Sequence, residues 1–359
     1  MQDVHALLLL AVRLALLIGV PAVFALLLRL LGAGRGGAAR SIGLGVIAGV
    51  IIGPGIAGRL VPDLSARFLK PGEPVTHAVV ALLSVALFIG SWGGRRERRS
   101  MLLGEDVPDL LTAVGAAALS LAVVALPVAI VLVWLLGFDR AEALALGAAF
   151  GSGSAFARVT LRRVRRIGRT HEARMFVGCG LLLSFVVVAA LAPPDRVGLL
   201  PAPSGAFAAG TIARRLAPLS ARWRARLRGA MLLLTAGCSA HLVSLVEPSA
   251  LGAGWQPVAF VLAVLLVSDD LAAIGAGLGW LTFGRAGVGV GYARRFMESR
   301  GLGSSLTMVG FGVALWSLGM LDPASPSGAA VVVALLLRGL AGEAVLGVYR
   351  AVLDAATEE

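Results

Sequence analysis

The sequence predicts an all-α, polytopic membrane protein, and three observations carry the prediction. The 359 residues are 58% hydrophobic and only 14% charged, against roughly 45–50% apolar and 25% charged in soluble domains. The mean hydropathy of +0.90 is too high for one globular core of this length. Apolar runs of about 20 residues, the length a helix needs to cross a bilayer, recur from end to end. A soluble bundle with several buried helices would not need so many of them.

Eleven spans follow from these runs, at 6–31, 42–60, 75–93, 107–136, 141–157, 172–192, 199–213, 229–246, 257–282, 301–320 and 327–349. The first opens on MQDVHALLLL, which lacks a basic leader and runs on too long for a cleaved signal peptide. The second, SIGLGVIAGVIIGPGIAG, is rich in glycine, and the third runs into the basic GGRRERRS. The fourth is a long stretch of Ala, Val and Leu. The fifth carries Gly151, Ser152, Gly153 and Ser154 in a row. The sixth and seventh flank the proline-bearing link APPDR, and the eighth contains GCSAHLVS. An aspartate pair marks the ninth, GLGSSLT opens the tenth, and the eleventh leads into a short tail.

The net charge of +12 and pI near 11.4 admit a nucleic-acid partner on charge alone. Such a surface interleaves basic side chains with stacking aromatics. Here aromatics are 6%, and the arginines sit in short links between apolar runs. Nucleic acid is therefore not the expected partner. The links alternate instead: GAGRGGAAR, GGRRERRS, RVTLRRVRRIGR, ARRLAPLSARWRARLR and GRAGVGVGYARRFMESR fall on one side, while FDRAE, APPDR and MLDPASPS fall on the other. Only RLVPDLSARFLKPGEP is mixed. The positive-inside rule makes the basic side cytoplasmic, which puts the N-terminus outside and the C-terminus inside.

The ninth span, VLAVLLVSDDLAAIGAGLGW at 261–280, sets Asp269 beside Asp270 in an otherwise apolar run. An ionised Asp at the centre of a membrane helix costs roughly 2.5–3.5 kcal/mol even on the lenient insertion scale. Adjacent carboxylates also repel, so the pair needs a proton or a cationic partner. Three roles are open to it. It can hold a cation in competition with protons, it can cap the N–H groups of a broken helix, or it can pair with an arginine such as Arg158 or Arg174.

The run at 151–154 and the set Gly301, Gly303, Ser304, Ser305 and Thr307 occupy corresponding places in the two halves. Small polar runs loosen a helix, and irregular backbone at membrane depth persists only where protein or water covers it. They read either as small-residue helix packing or as the paired broken helices of an inverted-repeat transporter. His241 reads as an interfacial structural residue, with proton sensing the alternative. Cys179 and Cys238 lie in apolar runs and read as small buried residues, not a disulfide. Arg338 and Glu343 read as sharing a solvated face of the last helix. There is no convergent metal-ligand set. GVGVGY has no strand before it to make a dinucleotide cradle, and no nucleophile constellation points to an enzyme.

Taken in order, these motifs resemble those of the monovalent cation:proton antiporters, the bacterial sodium/proton exchangers and potassium-efflux relatives. SIGLGVIAGVIIGPGIAG resembles the family's glycine-rich second helix, and VVALLSVALFIGSWGGRRERR its third. LGAAFGSGSAFARVTLRRVRRIGR is similar to the first broken helix and RGLGSSLTMVGFGVALWSLGMLD to the second. SGAFAAGTIARRL and AMLLLTAGCSAHLVSL resemble two of the later helices. The resemblance covers most of the chain. It implies inverted repeats at 1–192, with six helices and a break near 150–155, and at 193–359, with five helices and a break near 301–308. It further implies exchange of Na+ or K+ for protons across a bacterial cytoplasmic membrane, with no cofactor beyond the transported ions and with room for a homodimer. The bilayer and the ions are then the partners, and Gly151, Ser152, Gly153, Ser154, Ser304, Ser305 and Thr307 line the ion path.

The chain departs from the family pattern in three ways. The family places its ion-binding carboxylate on the helix after the first break. Here that helix, HEARMFVGCGLLLSFVVVAALAPP, has no acid between Glu172 and Asp195, and Ser184 stands where the carboxylate would. Many members carry a lysine on the helix before the second break. The only lysine of this chain is Lys70, in a link, and Asp269 and Asp270 stand on that helix instead. Lastly, the link between APP at 192–194 and GAFAAG is too short for the two helices the family usually has there. The expected ion and proton site is thus Asp269 and Asp270, with Ser184. A degenerate, non-transporting relative that serves as a sensor or complex subunit is the alternative.

Overall fold

The computed structural model describes residues 2–30, 39–60, 73–92, 110–154, 171–217, 219–252, 254–283 and 305–355. Among them the architecture is all-α with no strand. The helices are α1 (Gln2–Leu30), α2 (Ala39–Ile52), α3 (Ala57–Leu60), α4 (Glu73–Trp92), α5 (Leu110–Leu136), α6 (Arg140–Ser154) and α7 (His171–Leu191). After a 3-10 turn at Val197–Leu199 come α8 (Pro201–Leu216), α9 (Ala221–Ser244), α10 (Pro248–Leu251), α11 (Trp255–Phe283), α12 (Ser305–Ser317) and α13 (Pro326–Ala355). Among the described residues, five segments are long and apolar enough to cross a membrane by themselves: Leu10–Leu28, Ser41–Leu60, Pro74–Trp92, Val114–Leu136 and Arg222–Ser244. Shorter apolar stretches lie in α7, α8, α11, α12 and α13.

Two boundaries differ from the sequence expectation for clear reasons. The second span, expected as one piece over 42–60, stops at Ile52 and resumes at Ala57. Pro54 has no N–H to continue the ladder and disfavours the helical conformation of the residue before it. The eighth span, expected from 229, begins at Ala221. Ser220 caps it, its Oγ accepting from the Trp223 N–H at 3.5 Å, and Ala, Arg and Leu are strong helix formers. Hydropathy marked only its apolar part.

The chain forms two compact units. Unit 1 comprises Met1–Glu97, Pro193–Ala253 and Val309–Val332, and unit 2 comprises Arg98–Ala192, Gly254–Met308 and Val333–Glu359. In unit 1, α9 packs on α1, α2 and α4, and α4 packs on α8. Gly45, Gly49 and Gly53 form a stripe with a spacing of four. A Cβ on Gly45 would sit 2.5 Å from the Ser239 Cβ, one on Gly49 2.5 Å from the Val243 Cβ, and one on Gly53 3.0 Å from the Ser244 Cα. Both numberings rise together, so α2 and α9 run parallel with backbones in near contact. In α1 the order reverses: Leu17 lies by Gly237 and Arg13 by His241, so α1 runs antiparallel to α9. The Trp92 indole donates to the Ala217 carbonyl at 3.1 Å, tying the end of α4 to the end of α8. One end of unit 1 therefore gathers the start of α9 with the ends of α1, α4 and α8, and α2 starts toward that end, alongside the middle of α9.

In unit 2, α5 is the hub, packing on α6, α7 and α11. A Cβ on Gly151 would meet the Leu121 side chain at 2.6 Å. Cβ atoms on Gly275 and Gly279 would lie 3.0 Å from the Ser120 Cα and 2.7 Å from the Ala116 Cα. Small residues four apart thus let α11 lie antiparallel on α5 at backbone distance, the usual device for helices that meet in lipid.

Candidate ion site

Asp269 and Asp270 lie near the middle of the 29-residue helix α11. Their side chains are outside the described residues. What fixes them in space is the helix itself, pinned to α5 through Gly275 and Gly279 and to α6 through an edge-on contact of Phe260 with Phe150, ring centroids 6.1 Å apart. Phe150 immediately precedes Gly151, so the aspartate helix is anchored beside the small-residue run.

That run forms the last turn of α6. Gly151 is buried, while the side chains at 152–154 lie outside the described residues. Ser304 is also outside them, as is the side chain of Ser305, the first residue of α12; Thr307 is half-buried in the first turn of that helix. Asp269, Asp270, Ser184, the 151–154 run, Ser305 and Thr307 all belong to unit 2.

Ser184 is fully buried, and its Oγ donates to the Gly180 carbonyl one turn earlier at 2.8 Å. Its neighbours Leu183 and Val187 pack on Leu121, Ala125 and Ala148, so α7 lies on α5 and α6 as α11 does.

Set against solved structures, the chain is similar to the sodium proton antiporter MjNhaP1 from Methanocaldococcus jannaschii at pH 8. The TM-score is 0.55 at 13% identity, and the alignment covers 94% of this chain and 98% of that one. This is a sodium/proton antiporter-like fold. The likeness extends over nearly the whole of both chains. No family model and no curated protein matches the sequence.

Within the antiporter-like fold, unit 1 holds a polar cluster that the sequence reading missed in part. Arg13, in the middle of α1, is 4% exposed, and its Nη2 lies 3.5 Å from the Nδ1 of His241. A guanidinium has no lone pair to offer, so Nδ1 accepts, the imidazole is neutral, and its proton is on Nε2. That Nε2 has no hydrogen-bond partner among the described residues. The ring instead stands edge-on to Trp316 with centroids 4.4 Å apart, inclined at 70°. His241 is therefore wholly buried, not interfacial, because the glycine stripe of α2 lets α9 sink against it. The signal for Arg13 was present in the sequence: a lone cation inside an apolar span is a functional candidate by default. Arg338 also differs from expectation, being 3% exposed and not on a solvated face. The Glu343 side chain lies outside the described residues, as do Arg158 and the Arg174 side chain. Cys179 and Cys238 are free thiols.

Proposed function

We propose that the chain is a secondary transporter that exchanges Na+ or K+ for protons, with Asp269 and Asp270 holding the cation or the proton in turn. The observation that carries the reading is the carboxylate pair at mid-helix in α11, on a fold similar to that of a sodium proton antiporter. Oxygen ligands suit a hard monovalent cation, and a proton competes for the same oxygens. When one site holds either species but not both, inward movement of one drives outward movement of the other. Backbone carbonyls near Gly151, Ser152, Gly153 and Ser154, and the hydroxyls of Ser304, Ser305 and Thr307, supply further ligands along the path. The ion gradient is the energy source, so no cofactor enters. The reading places the protein in a bacterial cytoplasmic membrane with its N-terminus outside. The gathering of basic termini at one end of unit 1 supports that orientation.

The test is flux in proteoliposomes under a pH gradient, with Na+, K+ and Li+ offered separately. Wild type is expected to exchange at least one of them, and Asp269→Asn or Asp270→Asn to abolish that exchange in a folded protein. Asn keeps the shape and a carbonyl ligand while removing the charge and the titration. Both Asn variants exchanging at the wild-type rate would make the pair structural. The second reading, a non-transporting sensor or subunit, is favoured by Ser184 standing in place of an acid. Wild type that moves none of the three ions establishes it.

A further inference from the structure

We propose that the basic end of unit 1 is a binding site for the headgroups of anionic phospholipids, built on Arg222, Arg224, Arg226 and Arg228 with Trp223. The proposal is independent of the ion site. Helix α9 has 24 residues and is roughly 36 Å long at 1.5 Å per residue, whereas the hydrocarbon core is about 30 Å thick. One end must therefore stand among the headgroups. The apolar part begins after Gly229 and the buried part at Thr235, so the end that protrudes is the one with the arginines.

Three features point to phospholipid. First, no Asp or Glu occurs anywhere in 196–246, and among the described residues none of the four arginines has a carboxylate partner. The helix packing brings the backbone position of Arg29, near the end of α1, and those of Arg214 and Arg215, in the last turn of α8, to the same end. Second, the arginines encircle the helix. Arg222 and Arg226 share one side, Arg224 and Arg228 the other, about 200° away at 100° per residue. A flat macromolecular partner would engage one side only, whereas a collar of headgroups engages both. Third, the aromatic residues are those of a membrane interface. Trp223 is 55% exposed with the Arg226 guanidinium 5.2 Å from its ring centroid, and Trp92 lies at the same end. Indoles partition to the headgroup level. An arginine stacked on one still has its planar N–H fork free for bidentate contact with a phosphate.

The experiment uses the full chain purified in a neutral detergent. Phosphatidylglycerol or phosphatidylcholine is titrated in, with melting temperature and the lipids retained in native mass spectra as readouts. Phosphatidylglycerol is expected to raise the melting temperature and to be retained, and phosphatidylcholine to do neither. The variant R222Q/R224Q/R226Q/R228Q should bind phosphatidylglycerol about tenfold or more weakly, since each arginine near an anionic surface contributes separately. The corresponding four-lysine variant should keep much of the binding. Should the glutamine variant fail to fold, Trp223→Ala alone should still weaken retention. Equal effects of the two lipids, or full retention by the glutamine variant or by Trp223→Ala where it stands in, would overturn the proposal. Inorganic phosphate reproducing the shift would make this a simple anion site. A polyglutamate peptide doing so in phosphatidylcholine would make it a protein-docking surface, and either result rejects the lipid assignment.

Discussion

In unit 1 several polar side chains of the apolar helices have protein partners, although the Nε2 of His241 has none among the described residues. Arg13 donates to His241 at 3.5 Å, and Thr235, Ser239 and Ser244 each donate to a carbonyl of their own helix at 2.8–2.9 Å. Unit 2 treats its hydroxyls in the same way, Ser184 bonding to Gly180 and Ser268 to Val264. Its aspartates have no such remedy. An ionised carboxylate only accepts, and the N–H groups in the middle of α11 are already committed to the helix ladder. Asp269 and Asp270 must therefore find a proton or a cation from outside their own helix. A hydroxyl can be satisfied by its own helix, whereas an ionised carboxylate needs a partner from elsewhere, which in the proposed reading is an ion.

The strongest way to break this contrast is to close the carboxylates. Asp269→Asn or Asp270→Asn is expected to remove exchange altogether, measured as ion-driven dissipation of a pH gradient in proteoliposomes. Wild-type exchange is also expected to fall as the medium is acidified, because protons then occupy the oxygens the cation needs. Exchange that rises monotonically as pH falls would contradict competition at a carboxylate.

Next in size is the packing that holds the pair in place. Gly279→Leu would drive a side chain into the backbone of α5 at Ala116, where a Cβ alone comes to 2.7 Å. Overpacking of this kind costs about 1–3 kcal/mol, so the melting temperature should drop by several degrees and exchange should fall with it. Gly19→Ala in α1 is the control, since nothing lies within 4 Å of the added atom. It should leave stability unchanged or raise it by up to ~1 kcal/mol through helix propensity. Equal losses from the two substitutions would show that the close approach of α11 to α5 does not position the site.

A smaller effect is expected in unit 1. Arg13→Leu removes the donor from the buried Nδ1 of His241, at a cost of about 1–3 kcal/mol for the unmatched acceptor. The double variant Arg13→Leu/His241→Phe should cost less than the sum of the single changes, because it removes both partners together. The cycle is read from denaturation midpoints, with exchange retained in each folded variant. Strict additivity would mean that the two residues do not share a hydrogen bond.

Most of the fold was legible because bilayer physics writes long apolar runs into the chain. The aspartate pair was legible for the same reason, as a rare cost inside such a run. The break at Pro54 was written in the sequence, but hydropathy alone carried the second span across it. The start of α9 was hidden because Arg222 to Arg228 count against a span by hydropathy while favouring a helix by propensity. The burial of His241 could not be read from α9 alone. It depends on a glycine stripe nearly two hundred residues earlier in the chain, at Gly45, Gly49 and Gly53. Arg13 escaped notice because the orientation argument counted arginines in the links only.

Ser184 offers the smallest change and the finest test of the contrast. Its hydroxyl serves the Gly180 carbonyl of its own helix, already part of the backbone ladder, so the bond adds little beyond satisfying the hydroxyl itself. Ser184→Ala is therefore expected to shift stability by less than about 1 kcal/mol, within the range of a single net hydrogen bond, and to leave exchange at the wild-type rate. Ser184→Asp is a different matter, for it places an acceptor-only group where no mid-helix N–H is spare. If α7 and α11 border one cavity, as their shared packing on α5 and α6 permits, the new carboxylate should alter ion selectivity or the pH dependence of exchange. An aspartate that folds normally and leaves both untouched would separate Ser184 from the ion path. A Ser184→Ala variant that lost exchange would do the reverse, making the hydroxyl a ligand and removing the distinction between a closed and an open polar group on which the site assignment rests.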